Sequence, residues 1–576
     1  MIWLRKDSDE AAARALSADL GISLPLARLL ADRGYGDPES ARRFLEPQPA
    51  HFHNPFLLKD MDRAVERMGA AIAAKEKVFV FGDYDVDGLT STAQIAHLLE
   101  AAGLPHRLYQ PNRLKEGYGL SREGVERALD FGAGLMLVLD CGTEAAEKIE
   151  LARSRGLDVV VIDHHRPSGP LPEAAAVLNP ARRDCAYPFK GLAGAGVAFK
   201  FLHGGKDRWG VKLDWGRLYQ LAGLGTVADV TPLVDENRVL AAAGISFLVR
   251  RPHPGLRALL DAAGVKPGTV TTYNLAFQIA PRLNAAGRLG KAELARKLLT
   301  SNDREEINPL AALLDRLNRE RQAEQRKIFR QAEEKIESDR ARYLGKGIVV
   351  DGEGWNKGIV GIVASKIQEK YWRPTVVIAR EGKLGSGSGR SIPGFDLFGA
   401  ISRCREYLVT FGGHRAAAGL RIETPRIDEF RRAFAAAAER ELKEADLIPR
   451  LEIDGVLDPA EIGLELMEEL ERLEPCGEGN PPPVFTTAID RLPSSPRTIG
   501  KTGSHLKFSL PGAPADWACL GWGMAGRSEE LAAGPVEIAY RIQADDFRGR
   551  RRVQLILKDF RSLSTGRQVG PGEKEI

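Results

Sequence analysis

Three short stretches of this chain each deliver acidic or imidazole groups directly after an apolar run. VFVF (Val78 to Phe81) meets GDYDVDG, LMLVL (Leu135 to Leu139) meets DCGT, and VVVI (Val159 to Ile162) meets DHH. The first supplies Asp83, Asp85 and Asp87, the second Asp140, and the third Asp163, His164 and His165. Taken singly, an acid after a strand commonly caps a helix, and a histidine commonly satisfies a backbone carbonyl. Brought to one place, these groups repel one another unless cations sit among them. Mixed carboxylate and imidazole donors suit Mn²⁺, Mg²⁺ or Zn²⁺ rather than calcium, and the lack of thiolate ligands favours Mn²⁺ or Mg²⁺. A fourth stretch, LYQLAGLGTVADVTPL, reads as a helix with small residues for close packing and brings Asp229 to a Thr-Pro turn.

The elements that must position these groups follow from periodicity. Each apolar run has the length of a strand, and LTSTAQIAHLLEAAG reads as a helix closed by Gly103. A second helix is expected from about Glu144 to Arg155. Strands alternating with helices indicate βαβ units in a parallel sheet, and such sheets bind ligands outside the carboxyl ends of their strands. That edge is where all three acidic turns fall.

The rest of the chain carries other patterns. The first ~70 residues look helical, with Leu24, Leu26, Leu29 and Leu30 at helical spacing. SNDREEINPLAALLDRLNRERQAEQRKIFRQAEEKI puts Leu310, Leu313, Leu314 and Leu317 on one stripe and then turns strongly polar, as a long bridging helix would. GIVV, a helix after Trp355, and TVVIA suggest a second α/β unit. After it, GSGSGRS reads as a glycine loop that exposes N–H groups and the fork of Arg390 to a phosphate, with FGGHR following. NRLKEGYGL offers Asn112 and Tyr118, the tyrosine as a platform for base stacking. From about Leu451 to Ser562, short alternating segments such as HLKFSL and DDFRGRRRVQLILKDF read as an all-β module with a basic run at Arg548, Arg550, Arg551 and Arg552.

Composition bounds the possibilities. At 576 residues the chain should hold about three to four domains. The N-terminus MIWLRKDSDE has charges where a signal peptide needs apolar residues, and no apolar run approaches the ~18 residues of a membrane span, so a cytoplasmic chain without a membrane role is expected. Five dispersed cysteines without a CxxC pair argue against a disulfide framework and a structural zinc site. A net charge of +4 leaves any anionic partner to local basic clusters.

GDYDVDG, LDCGT, IDHH and GTVADVTPL resemble, in order and spacing, the four motifs of the DHH phosphoesterase superfamily. NPFLLKDMDRAVERM, PRLNAAGRLG, GSGSGRS, TFGGHRAAAGL and EPCGEGNPPPVF extend the resemblance to the RecJ family of single-strand-specific 5′ to 3′ DNA exonucleases, from about residue 20 to 560. The resemblance implies a multidomain α/β fold. It has an N-terminal helical region (1–70), a parallel-sheet DHH domain (71–300), a connecting helix (301–345), a smaller DHH-associated α/β domain (346–446), a C-terminal all-β OB fold (447–565) and a tail (566–576). It also implies two ions, Mn²⁺ or Mg²⁺, with Asp85 on one, Asp87 on the other, Asp140 bridging, and His164 and Asp229 completing the second site. Asp83, Asp163 and His165 are then auxiliary groups.

By the same resemblance, Ser388, Arg390, Gly413 and His414 form a 5′-phosphate pocket and Arg282 and Arg288 grip the strand, while the residue reading of NRLKEGYGL adds Asn112 and Tyr118 as contacts to it. Expected partners are single-stranded DNA, a RecQ-type helicase and single-strand-binding protein, with the enzyme a monomer in repair and recombination. Two positions depart from the pattern: Phe81, where some superfamily members have a metal-binding histidine, and Asn356, where the family usually has histidine. Two alternatives share the fold. A small-substrate phosphatase has little use for the C-terminal β module, and a non-catalytic replication scaffold typically loses metal ligands that are all present here.

Overall fold

The N-terminus departs at once from the helical expectation. Ile2–Arg5 form strand β1, which pairs in parallel with β12 (Arg450–Ile453). Trp3 Nε1 donates to Asp559 (3.0 Å), and its ring joins Ile453, Val484 and Ala539 in a small core. The partner strand lies far along the chain, so nothing local announces it. A computed structural model describes the chain except residues 113–114, 267, 515–516, 546–549 and 564–576. Arg548 of the basic run and the expected tail therefore lie outside the described residues.

The chain forms two compact units. The first comprises Met1–Phe52, Pro232–Val239 and Arg450–Ile576. Its helix Leu24–Asp32 buries Leu26, Leu29 and Leu30 in one core with Leu466, Phe485, Tyr540 and Leu555, so the N-terminal helices and the C-terminal β module share a core. That module is a seven-stranded sheet in which β18 (Val536–Asp545) and β19 (Arg552–Ser562) are long antiparallel neighbours. Alternation of buried Val553, Leu555 and Leu557 along β19 is the expected period of two. Arg238, 1% exposed, donates to the carbonyls of Phe44, Arg472, Leu473, Glu474 and Pro475, using the whole guanidinium fork to pin the EPCGEG turn.

The second unit, His53–Thr231 with Leu240–Pro449, contains both α/β sheets. In the first, β2 (Val78–Gly82), β3 (His106–Tyr109), β4 (Leu135–Leu139), β5 (Asp158–Ile162) and β6 (Ala176–Leu178) are all parallel in the order β3-β2-β4-β5-β6. β2 and β4 are buried at every position, as expected of strands covered on both faces. Gly82, Leu139 and Ile162 pair across β2, β4 and β5, so the next residues, Asp83, Asp140 and Asp163, leave the sheet in a row. Helix Arg304–Ser338 is the long polar helix the sequence suggests, burying Leu314, Leu317, Ile328, Ala332 and Ile336.

The second sheet runs β10-β11-β9-β8-β7, from β7 (Ile348–Glu353), β8 (Thr375–Glu381), β9 (Leu384–Arg390), β10 (Leu408–Gly413) and β11 (Ala417–Glu423). GSGSGRS is therefore not a loop but most of β9, paired on both sides. The glycines alternate. A Cβ at Gly385 would lie 2.8 Å from Ile378, at Gly387 2.7 Å from Leu420, and at Gly389 3.0 Å from Leu397. Neighbouring side chains thus fill the space that Gly385, Gly387 and Gly389 leave, while Ser386, Ser388 and Arg390 face the opposite side. Among the described residues, no helix is long and apolar enough to cross a membrane.

Candidate active site

Each acid of the cluster is fixed by its own backbone context. Asp85 caps helix Val86–Ala101, accepting from Asp87 N (3.1 Å) and Gly88 N (3.2 Å). Asp87 sits in that helix's first turn and accepts from Gly194 N (2.6 Å) and Ala195 N (2.7 Å), the opening amides of helix Gly194–Gly205. Asp140 adopts left-handed backbone (φ 58°), a conformation that costs a non-glycine residue about 1 kcal/mol or more and that the paired strand ends hold in place. Asp229 ends helix Trp215–Ala228 as its C-terminal cap.

The imidazole of His164 stands at the centre. Its Nε2 lies 3.2 Å from Asp140 Oδ1, 3.6 Å from Asp229 Oδ2 and 3.7 Å from Asp87 Oδ2. Three sets of donors have ligand atoms close enough to share an ion: Asp83, Asp85 and Asp140; Asp87, His164 and Asp229; and Asp140, His164 and His165. Asp140 belongs to two of them. Asp163 has another task. It accepts from Thr143 N (3.0 Å), His164 N (2.7 Å) and His165 N (3.1 Å), and bonds His165 Nδ1 (2.7 Å), so it builds the turn that presents both histidines.

The electrostatics fit divalent cations. Burial, then the charges of Asp87, Asp85, Asp83 and Asp229, hold the Asp140 carboxyl well above the usual range. Burial followed by Asp87 and Asp85 pushes Asp229 up to about 9, and burial also raises Asp87. Burial lowers His164, which favours the neutral ring that can ligate. Asp140 Oδ1 and His164 Nε2 are buried and make no hydrogen bond. Nearby Cys141 is buried, and its thiol is held well above its usual range by that burial, so it offers no thiolate. A hard-oxygen and imidazole set with unsatisfied buried atoms is what two Mn²⁺ or Mg²⁺ ions would complete.

Glycines make the room: the small residues expected around Gly225 were legible in the sequence, whereas Gly194 was missed. A Cβ at Gly194 would lie 2.8 Å from Asp140 Oδ1 and 3.0 Å from Asp87 Oδ2, and one at Gly225 would lie 2.5 Å from the Ala195 methyl. The only local signal for Gly194 was the small-residue run LAGAG before an apolar helix. Phe81 supplies no ligand. It is fully buried against Gly124 and Tyr109, with ring centroids 5.7 Å apart.

The expected strand contacts are placed unevenly. Tyr118 is 59% exposed, yet its hydroxyl reaches His165 Nε2 (2.8 Å), and burial of that end beside Asp140, Asp83 and Asp163 raises its pKa. Both ring nitrogens of His165 are thus engaged. Asn112 turns to the Gly290 carbonyl (3.4 Å). Arg282, expected to grip the strand, instead pairs with Asp315 (3.0 Å) and donates to the Gln278 carbonyl (2.6 Å) at 14% side-chain exposure. That carbonyl lies in a π-helical turn, Leu275–Ile279, which Arg282 ties down. Arg288 likewise donates to the Gly358 carbonyl (3.0 Å).

Ser388 and Arg390 face the start of helix Val360–Tyr371, where a Cβ on Gly361 would lie 3.0 Å from Ser388 Oγ and 3.2 Å from Arg390 Nη2. Arg390 Nη1 donates to Ser388 Oγ (3.1 Å). A serine, an arginine and helix-start amides make an anion-binding chemistry. Gly413 has φ 144° beside the tight His414 to Ala417 turn, where a side chain would meet the Ala417 carbonyl at 2.5 Å. His414 bears on the first sheet's edge: the Glu144 carboxyl is lowered first by hydrogen bonds from Ser168 and also by the charge of His414. Asn356 shapes the same neighbourhood, its Oδ1 accepting from Gly358 N (2.8 Å).

A parallel sheet with this cluster at the carboxyl ends of its strands, followed by a smaller α/β sheet with an anion-binding face, defines a DHH-type phosphoesterase. Family models match as follows: DHH family, N-terminal domain, over residues 77–224; DHHA1 domain, over 344–440; and RecJ OB domain, over 453–559. The chain belongs to the RecJ family. It is 37% identical over 563 residues to the single-stranded-DNA-specific exonuclease RecJ of Bacillus subtilis, covering 97% of this chain and 70% of that protein. To the Escherichia coli RecJ it is 34% identical over 583 residues, covering 96% and 98%. Its structure is similar to the crystal structure of Thermus thermophilus RecJ in complex with Mn²⁺, with a TM-score of 0.84 and 30% identity over 98% of this chain and 80% of that one.

Proposed function

We propose that this chain hydrolyses single-stranded DNA from its 5′ end, releasing 5′ mononucleotides in repair and recombination. The observation that carries the reading is buried Asp140, which forms one donor set with Asp83 and Asp85 and lies 3.2 Å from His164 of the set with Asp87 and Asp229. Asp85 and Asp140 would hold one ion, with Asp83 within reach of it, while Asp87, His164, Asp229 and the shared Asp140 would hold the other. Bound there, two Mn²⁺ or Mg²⁺ ions supply acidified water and charge stabilisation around phosphorus.

The chain's own residues do the rest. Burial opposes charging of His165, but the Asp163 hydrogen bond and charge prevail and push it up to about 9. Its Nε2 lies 2.8 Å from the Tyr118 hydroxyl, which holds that tyrosine beside the cluster. Tyr118 thereby presents its exposed ring to a base. Polarity comes from the Ser388, Arg390 and His414 pocket, which offers donors to a terminal phosphate. Two-ion hydrolysis alone has no preferred end.

The same reading makes the chain a monomeric cytoplasmic enzyme that receives its strands from a RecQ-type helicase and single-strand-binding protein. Family resemblance supports this extension. The test of the main reading is a nuclease assay with Mn²⁺ or Mg²⁺ on 5′- and 3′-labelled single strands, duplexes and dinucleotides. Metal-dependent release from the 5′ end of long single strands is expected. Preference for dinucleotides would favour a small-substrate phosphatase instead.

A further inference from the structure

In the motif PRLNAAGRLG, whose helix is Ala280–Arg288, the half-buried Arg282, Asn284 and Arg288 each bond to groups of the protein itself. Asp85 caps the second and third amides of helix Val86–Ala101, and the first amide, Val86 N–H, is left without a partner inside that helix. Asn284 Oδ1 accepts it at 3.1 Å. Three residues on, and so on the same face, Gly287 lets the helix backbone approach Tyr84. A Cβ there would lie 2.6 Å from the Tyr84 carbonyl. Asn284 and Gly287 thus seat the backbone on both sides of Asp85.

The same helix ends on the second α/β sheet's side. Arg288, four residues after Asn284, donates to the Gly358 carbonyl (3.0 Å), and a Cβ on Gly358 would lie 2.8 Å from the Arg288 carbonyl. Gly358 is shaped by Asn356, and the chain then enters the helix that carries Gly361 beside Ser388 and Arg390. One short helix therefore contacts the Asp85–Asp87 turn through Asn284 and Gly287 and the approach to the anion pocket through Arg288 at its C-terminal end.

We propose that helix Ala280–Arg288 is a strut coupling terminal-phosphate binding to the metal-ligand loop, with Asn284 its positioning residue. The coupling rests on the functional reading above, whereas the seating of the loop does not. Asn284 orients Asp85 and Asp87 by holding Val86 N–H. Outer-shell groups of this kind typically contribute about 10- to 100-fold in metal affinity.

The test uses the full chain and three variants. Asn284→Leu keeps volume but removes the acceptor, Asn284→Asp keeps the acceptor, and Gly358→Ala pushes on the far end. Mn²⁺ affinity is read by calorimetry without substrate, and kcat and KM are read on strands ending in 5′-phosphate or 5′-hydroxyl. Asn284→Leu should weaken one Mn²⁺ site about 10- to 100-fold and lower kcat with KM little changed. Asn284→Asp should recover most of both, and Gly358→Ala should narrow the rate advantage of the 5′-phosphate strand. Should Asn284→Leu not fold, Asn284→Ser, too short to reach Val86, takes its place.

Unchanged Mn²⁺ affinity and kcat in the acceptor-less variant would overturn the role of Asn284, whatever its melting temperature. Equal defects in the Leu and Asp variants would overturn it as well. An unaltered phosphate preference in Gly358→Ala would overturn the coupling. If the parent leaves single strands uncut, the functional reading and the coupling fall together, and the Mn²⁺ titration still decides the seating.

Discussion

The two sheet edges of the larger unit hold opposite charges in opposite ways. At the first, buried Asp140 and Asp87 and half-buried Asp229 have raised carboxyls, and Asp140 Oδ1 and His164 Nε2 make no hydrogen bond, so the fold stores repulsion that a cation relieves. At the second, Arg390 lies along its own strand, bonded to Ser388 Oγ and the Gly389 carbonyl, so the cation is held before any anion arrives. One edge is incomplete without its ligand, and the other is preorganised for one. Removing a group from the first should therefore abolish chemistry, while removing one from the second should change only which ends are cut.

The sharpest break is Asp140→Ala. Losing the shared ligand should remove several kcal/mol of transition-state stabilisation, lowering single-turnover hydrolysis by at least about a thousandfold. DNA binding, followed by fluorescence anisotropy, should persist. Substantial hydrolysis by this variant would end the two-ion reading.

Metal removal sharpens the contrast next. Asp140, Asp87 and Asp229 have folded-state pKa values above their unfolded values, so in the metal-free fold these three carboxyls hold more protons than in the unfolded chain above about pH 4, Asp229 up to about 9. Apart from the lowered His164, which acts oppositely below about 6.5, their contribution to stability should fall as pH rises through that window. His165 acts with the same sign, its contribution present below about 6.5 and lost as pH rises through about 9. Mn²⁺ replaces the protons, so the melting-temperature gap between Mn²⁺ and chelator should widen from pH 5 to 9. At a hundredfold excess over Kd the underlying stabilisation should reach about 2.7 kcal/mol per site. A constant gap would mean that the carboxylates are already ionised in the metal-free fold.

Arg390→Ala should cost roughly 1.5 to 3 kcal/mol of binding to 5′-phosphorylated strands, and much less to 5′-hydroxyl strands. Equal losses on 5′-phosphate, 5′-hydroxyl and 3′-phosphate strands would make Arg390 a general backbone contact. The smallest effect concerns the basic run of the C-terminal module. Arg551 is surface-exposed and paired with Glu471, so Arg551→Ala should change stability by less than about 0.5 kcal/mol. A larger loss in denaturant titration would give that pair a structural role.

Much of this architecture was legible beforehand, and the failures are instructive. GSGSGRS carries a period of two, Gly385, Gly387 and Gly389 against Ser386, Ser388 and Arg390, but glycine content outweighed that period and the stretch read as a loop. What makes glycine right in a strand is Ile378, Leu420 and Leu397 filling the space, which only the packed sheet reveals. Arg282 and Arg288 were placed on the strand by family resemblance, and nothing in the sequence signals that each also bonds within the protein. Their partners, Asp315 and Gly358, lie in segments too distant to weigh by spacing.

By itself the sequence determined the kind of chemistry. An apolar run followed by acids, repeated three times between helices, reads as parallel strands that gather their acids at one edge, because period and residue type are local properties. Tertiary structure decided whether those acids become a site. Register across β2, β4 and β5 set Asp83, Asp140 and Asp163 in a row. The paired strand ends hold Asp140 in left-handed backbone, Gly194 and Ala195 supply amides to Asp87, and Asn284 seats the Asp85 turn. Each of these depends on groups brought together from distant segments, and their orientation is fixed only when the intervening core packs.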